Sequence, residues 1–347
     1  MTKRTWFAAL ISSALVAACG GSGSHPTRSR TTKPATAAGP VAAAVARPLP
    51  KPPERAFVTA ETENRLLVVE LPSGRVVRSI PLAPDPEDLA TQGIDGPIVV
   101  VSAAAGTVTL LDASTLRALK VFGGFASPHI AAIARDGDHA YVTDDARGTL
   151  TAIDLANLRV TSTIHVGAGA HHMSFDMMHS LAWVALGESA RTIVVISTYG
   201  FDRPRVIGRF DPGFEVHDLA FSIDGRRVWL TAADRRDVTV FNGIDEQPMF
   251  RVPVGPPPQH VALAGSYAYL TSGYGSTIEQ VDAHNGRILR RARTPYGSFE
   301  LAADGRYVVV SSLLRGTLAI YTSQLKLVRV SHLAPATREV VLGPVEK

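Results

Sequence analysis

One short strand motif occurs seven times from residue 57 onward, and this repeat constrains the fold more than any other feature of the sequence. Each copy is an apolar run that ends in a small residue, and consecutive copies lie 40 to 46 residues apart. The copies occupy residues 57–59, 100–102, 141–143, 183–185, 229–231, 269–271 and 309–311. A period of this length is typical of the blades of a β-propeller.

Three further elements accompany each copy of the motif. One alternates β-branched residues and ends in a turn former, as at 149–154; one carries arginine, as at 286–289; and one precedes the next copy, as at 129–134. Four strands in seven copies predict an all-β chain: a seven-bladed β-propeller of four-stranded blades over residues 55–347. The first copy lacks its leading strand and a spare one lies at 338–342, so we expect this C-terminal strand to close the first blade.

The third repeat carries a family resemblance. Tyr141-Val142-Thr143-Asp144, followed by the strand at 148–154, resembles the YVTN repeat of bacterial surface and periplasmic propellers, the YncE-like family. The resemblance covers residues 55–343 and implies the same seven-bladed fold. It implies no single function, because such repeats occur in binding proteins, lactonase-like enzymes and accessory factors alike.

The N-terminus predicts export. Lys3 and Arg4 precede an apolar run at 6–18 that fits a signal peptide and is too short to span a bilayer. The small residues before Cys19 resemble a lipobox, and Cys19 is the only cysteine. We therefore expect a lipoprotein signal peptide at 1–18, lipidation of Cys19 and a membrane-anchored, extracytoplasmic protein. The alternative is an ordinary cleavage site with an incidental cysteine, and in either case internal disulfides are excluded.

Residues 19–54 predict a disordered tether, because they are rich in Pro, Ala, Ser and Thr and have too few apolar side chains to form a core. This region and the signal peptide hold seven of the 35 basic residues and only one of the 31 acidic ones. The repeats therefore have a formal net charge near −2, which argues against a nucleic-acid partner. We expect a monomer that binds the membrane through its lipid and takes an unidentified protein or small-molecule ligand.

Histidines recur in the leading strands, which line the central channel of a propeller. Together with charged residues from two other blades they predict a ligand-binding ring at one channel mouth. The ring residues are His129, His171, His217 and His260, with Glu87 and Arg338. His172 follows His171 directly, and because neighbouring residues on a strand face opposite sides, we expect only one of the two to face the channel.

Imidazole is a good ligand for zinc and copper, so the channel is also a candidate metal site. Its candidate ligands are His129, His171, His172, His217 and His260. Residues 171–179 contain three His and three Met, and thioethers beside imidazoles favour Cu(I). Alternatively, the repeat inherited one residue type by duplication, and the histidines only hydrogen-bond around the ring.

Three functions follow from these patterns. The first is a non-enzymatic ligand-binding or protein-scaffold module outside the cytoplasm. The second is a lactonase-like hydrolase at the channel mouth, which would use channel carboxylates close to the histidines. The third is a copper- or zinc-binding protein. The sequence contains no G-x-S-x-G, no H-E-x-x-H and no phosphate-binding glycine loop, so no catalytic residue is assigned.

Overall fold

The structure of the protein, a computed structural model, describes residues 54–91 and 96–343. These ranges contain 28 β-strands and one short 3-10 helix, Gly273–Gly275. Within them no helix is long and apolar enough to cross a membrane. The predicted signal peptide, Cys19 and all but the last residue of the predicted tether lie outside the described residues.

The strands form seven antiparallel four-stranded sheets, the blades, each made of strands that are adjacent in sequence except at the seam. Blade 1 contains β1 (Glu54–Ala60), β2 (Arg65–Leu71), β3 (Arg75–Pro81) and the C-terminal β28 (Thr337–Gly343). Blade 2 contains β4 (Pro86–Thr91), β5 (Ile98–Ser102), β6 (Thr107–Leu111) and β7 (Ala118–Gly123). Blade 3 contains β8 (Pro128–Ile133), β9 (His139–Asp144), β10 (Thr149–Asp154) and β11 (Arg159–His165). Blade 4 contains β12 (Ala170–Asp176), β13 (Leu181–Leu186), β14 (Ile193–Ser197) and β15 (Arg205–Phe210).

The remaining three blades follow in chain order. Blade 5 contains β16 (Val216–Phe221), β17 (Arg227–Ala232), β18 (Asp237–Asn242) and β19 (Pro248–Pro253). Blade 6 contains β20 (Val261–Ala264), β21 (Tyr267–Ser272), β22 (Thr277–Asp282) and β23 (Ile288–Arg293). Blade 7 contains β24 (Ser298–Ala303), β25 (Tyr307–Ser312), β26 (Thr317–Thr322) and β27 (Leu327–His332). The predicted seven-bladed propeller is confirmed.

The ring closes where the sequence places its spare strand. β28 pairs antiparallel with β1, and Val58 lies opposite Val340 in this pairing. Val340 is buried with Val58 in the core between blades 7 and 1. The first and last strands of the described chain therefore share one sheet, and β1 is paired on both sides.

The hydrophobic core lies between the blades. Trp183, Trp229, Tyr141 and Tyr269 occupy equivalent positions on the second strands of their blades, and all four are fully buried. Each packs against the next blade, as Trp183 does against Phe221 of blade 5 at 5.3 Å between ring centroids. This packing fixes the blades side by side and thereby sets the positions of their inner strands.

The Y-V-T-D motif explains how neighbouring inner strands are held. The hydroxyl of Thr143 accepts a hydrogen bond from the backbone N–H of Ile130 in its own blade (3.0 Å) and donates one to the carbonyl of His171 in the next blade (2.8 Å). The carboxylate of Asp144 accepts from the N–H of Ala126, just before β8 (2.7 Å). These bonds fix the backbone at the start of the inner strands, where the channel histidines lie.

Candidate functional site

The central channel widens at one end into a cavity of about 390 Å³. Its wall includes every channel residue that the sequence singles out. These residues are His129, His171, His172, His217 and His260, together with Glu87 and Arg338. The described chain begins at Glu54 and ends at Gly343, and both residues lie at the other end of the channel, because β28 runs from Arg338 at the cavity to Gly343 beside Arg55.

A β-bulge brings both His171 and His172 to the cavity, so the expectation that only one of them faces it is wrong. In β12, Ala170 pairs with Leu186 and Met173 pairs with Val184, which leaves the two histidines opposite the single residue Ala185. Two residues against one interrupt the alternation of sides, and a bulge re-aims the side chains it carries. The same irregularity occurs at the equivalent place in five other inner strands.

Four of the five imidazoles share one arrangement of their ring nitrogens. In each, the Nδ1 atom faces an oxygen of a carboxyl group or of a backbone carbonyl. A carbonyl oxygen, like an oxygen of an ionised carboxylate, can accept a hydrogen bond but cannot donate one. The pairs are His129 with Glu87 (2.7 Å), His171 with Asp145 (3.1 Å), His260 with Glu300 (2.9 Å) and His217 with the Glu188 carbonyl (3.3 Å). Each Nδ1 therefore carries a proton, and each Nε2 faces away from its oxygen partner. Metal-binding histidines are oriented by oxygen acceptors in this way.

His172 lies between the other four histidines. It belongs to two groups whose ligand atoms all lie within 4.8 Å of one another. The outer triad is His129, His171 and His172, and the inner triad is His172, His217 and His260. The Nδ1 atom of His172 is buried and has no hydrogen-bond partner. An unpaired buried nitrogen costs free energy, and this one lies at the meeting point of the two triads.

The charges of the inner triad differ sharply. Burial, together with the charge of His260, lowers the pKa of His217 to about 3, and burial holds the pKa of His172 well below its usual value. Burial alone would also lower the pKa of His260, but the carboxylates of Glu300 and Asp218 outweigh it and raise this pKa to about 10. At neutral pH the triad therefore contains one imidazolium and two neutral imidazoles.

In the outer triad, His171 is neutral at pH 7. Burial and the neighbouring His129 lower the pKa of His171 to about 4, against the opposing effect of Asp145. The rings of His129 and His171 stack in parallel, with centroids 3.7 Å apart. Glu87 is held ionised against its own burial, because His129 and Arg338 lower the pKa of its carboxyl.

A second tier of acidic residues lies one position further along the inner strands. Burial raises the pKa of Asp88 to about 7, and burial with neighbouring carboxylates raises that of Glu339 well above its usual value. Asp88 accepts a hydrogen bond from the N–H of Ala131 in the next blade (2.6 Å). Asp88 is therefore about half protonated at neutral pH, and its carboxyl group ties blade 2 to blade 3.

Two sequence neighbours of the cavity histidines lie away from the cavity wall. Met173 packs in the core between blades 3 and 4 with Phe175, so the thioether suggested by the 171–179 segment is absent from the cavity wall. Gln259 is fully buried, and its amide donates to the carbonyls of Gly255 (2.8 Å) and Arg235 (3.2 Å). The cavity donors are thus imidazoles and carboxylates, which suit Zn²⁺ or Cu²⁺ better than Cu(I).

Several residues of the cavity wall could not be predicted from the sequence. Asp145 follows the Y-V-T-D motif in the loop before β10, and the sequence does not show that it faces His171 of the next blade. Tyr274 and Leu313 come from the corresponding loops of blades 6 and 7. Contacts across blade boundaries decide these positions, and only the assembled ring brings them together.

A third group of ligand-type side chains among the described residues lies away from this cavity. It consists of His139, Asp154 and Asp202. Asp154 is already engaged, since it pairs with Arg159 (3.1 Å) and accepts from the Asn157 amide (2.9 Å). The group is accounted for as an ion-pair network that joins blade 3 to the loop after β14.

No protein-family model matches this chain, and no curated protein matches it by sequence. Solved structures do resemble it. A functionally unknown protein from Desulfotomaculum acetoxidans aligns with a TM-score of 0.74 at 14% identity, over 84% of this chain and 99% of that one. Hydrazine synthase from Kuenenia stuttgartiensis aligns at 0.66 and 14% identity, over 83% and 100%. Apo AztD from Citrobacter koseri aligns at 0.65 and 10% identity, over 85% and 100%.

At these identities the likeness shows the fold alone. The chain is a seven-bladed β-propeller whose cavity is compatible with binding a ligand or a protein, and its membership of the YVTN-repeat family stays a prediction.

Proposed function

We propose that this protein binds one divalent transition-metal ion, Zn²⁺ or Cu²⁺, through histidines at the mouth of its channel. The observation that carries the proposal is the shared orientation of the imidazoles. Four Nδ1 atoms face oxygen acceptors, which directs the Nε2 atoms toward a common ligand, and those of His217 and His260 hydrogen-bond each other in its place. Polar rings that only hydrogen-bond around a channel do not require this division of the two nitrogens.

The inner triad has the better geometry for an ion. The Nε2 atoms of His217 and His260 are 3.1 Å apart, and His172 completes the group. Two nitrogens that bind one tetrahedral zinc at about 2.05 Å lie about 3.3 Å apart, so only a small shift is needed. His172 belongs to both triads, and we therefore expect one tightly held ion per chain.

The predicted export and lipidation at Cys19 support an extracytoplasmic site. Glu54, the first described residue, lies at the end of the channel away from the cavity. The scaffold and lactonase-like alternatives stay predictions, and both concern this same mouth.

Metal titration of the purified protein tests the proposal. After removal of metal with a chelator, exposure to Zn²⁺ or Cu²⁺ and dialysis, we expect about one ion per chain by elemental analysis. His217→Ala and His172→Ala should each lose tight binding. His284→Ala is the matched control, because His284 is an exposed histidine outside the cavity. Metal well below one equivalent, or binding unchanged in His217→Ala, would overturn the proposal.

A further inference from the structure

The cavity has a second wall that offers few ligand atoms. Pro258, Tyr274, Phe299 and Leu313 line it from blades 6 and 7. In a ring of seven, blade 7 is three places from both blade 3 and blade 4 and so lies across the channel from them. An aromatic and aliphatic surface therefore faces the outer histidine triad across the opening.

The aromatic side chains of this wall are held in place. The Thr271 hydroxyl donates to the backbone carbonyl of Phe299 (2.5 Å), and a side chain at Gly273 would collide with the Phe299 ring. Tyr274 meets Phe299 nearly edge-to-face, with centroids 5.4 Å apart, and is itself 54% exposed. A large aromatic side chain exposed beside a polar cavity is a surface on which a flat ligand can pack.

The cavity is larger than an ion requires. A volume of about 390 Å³ lies in the range of small-molecule sites, whereas a water occupies about 30 Å³ of liquid. An ion held by three histidines also keeps a coordination position open for an outside ligand. Three imidazoles bound in their neutral form add no negative charge of their own to the ion, so its open position can take an anionic donor.

Arg338 is not available to form an ion pair with a bound anion. Its guanidinium pairs with Glu61 (3.2 Å) and Glu87 (3.5 Å), so its charge is already balanced. The positive charge available to a ligand in this cavity is therefore that of the bound ion.

We propose that the metal-loaded site takes a small organic anion with a planar apolar group, of the aromatic carboxylate class. The carboxylate coordinates the ion at its open position, and the ring packs on Phe299 and Tyr274. This inference rests on the proposed metal site and names the ligand class of that site.

Benzoate and acetate test the inference as a matched pair on Co²⁺-loaded protein, with the visible Co²⁺ bands as the binding signal. Elemental analysis of the same samples reports metal content separately. We expect benzoate to bind at least tenfold more tightly than acetate, which corresponds to about 1.4 kcal/mol of ring packing. Metal-free protein, which lacks the Co²⁺ bands and is titrated by calorimetry, should show no such preference.

Two substitutions test where the aromatic ring of benzoate packs. Phe299→Ala and Tyr274→Ala should each reduce the preference for benzoate at least threefold and leave the metal content unchanged, and the exposed Tyr274 keeps the test valid if Phe299→Ala does not fold. Tyr199→Ala is the control, because Tyr199 is 81% exposed and is not part of the cavity wall. Equal affinities for benzoate and acetate, or a preference that survives both variants, would overturn the inference while leaving the metal site standing. Protein that retains no Co²⁺ would count against the metal site itself.

Discussion

The Nε2 atoms of His217 and His260 lie 3.1 Å apart in the channel wall, and the two rings differ in charge. His217 is neutral at pH 7, because its pKa is lowered to about 3. His260 is protonated, because its pKa is raised to about 10. Since the Nδ1 of His217 donates to the Glu188 carbonyl, its Nε2 accepts the Nε2 proton of His260. One proton therefore occupies the place between the rings that a metal ion would take.

Metal binding should therefore release about one proton per ion at neutral pH. The ion must displace the proton on His260, whereas His172 and His217 are already neutral. Because metal and proton compete, affinity should rise with pH, by about tenfold per unit between pH 6 and 8. Calorimetric titrations in two buffers of different ionisation enthalpy measure the released proton. A slope near zero, with no proton released, would contradict the assigned charge of His260.

Replacing His172 by Leu should raise the stability of the metal-free protein. The substitution removes a buried nitrogen without a partner, and relief of an unsatisfied polar atom is worth about 1 kcal/mol. It should also abolish tight metal binding. Urea unfolding measures the first effect. His171→Leu is the matched comparison and should not stabilise, because the Nδ1 of His171 is paired with Asp145.

The hydroxyl of Thr143 should contribute both to the free energy of unfolding and to metal affinity at the channel mouth. Thr143→Val removes the acceptor of the Ile130 N–H and the donor to the His171 carbonyl, which leaves buried backbone groups unpaired. We expect a loss of about 1–3 kcal/mol in the free energy of unfolding and a weaker metal site. Thr143→Ser keeps the hydroxyl and should retain metal affinity. An unchanged unfolding midpoint in the valine variant would argue against this role.

The seam of the ring should depend on Thr337. Its buried hydroxyl accepts from the N–H of Ser312 (3.2 Å) and lies 3.0 Å from the carbonyl oxygens of Ser312 and Thr317. Thr337→Val should lower the free energy of unfolding by about 1–3 kcal/mol, because β28 then loses this attachment to blade 7. Denaturant unfolding measures the change, with Thr337→Ser as the control. Equal stability of the two variants would show that the strand does not need the hydroxyl.

The sequence by itself determined the propeller and its closure. Strand patterns are local, so seven copies of one motif fix seven blades, and the spare strand at 338–342 had one open place to fill beside β1. The recurrence of His129, His171, His217 and His260 at one blade position also placed them at one end of the channel, because equivalent positions of a closed ring lie at equal height.

Only the tertiary structure decided which atoms face the cavity. The bulge in β12 brings both His171 and His172 to the cavity, and it lies in the pairing of this strand with β13. Beyond the bulge, the side chain of Met173 packs in the core between blades 3 and 4. The acceptor Asp145 comes from a neighbouring blade, as do the aromatic and aliphatic residues that face the histidines. A strand's own sequence specifies its local fold, but contacts between blades depend on the distance and rotation of whole sheets, which exist only once the ring has formed.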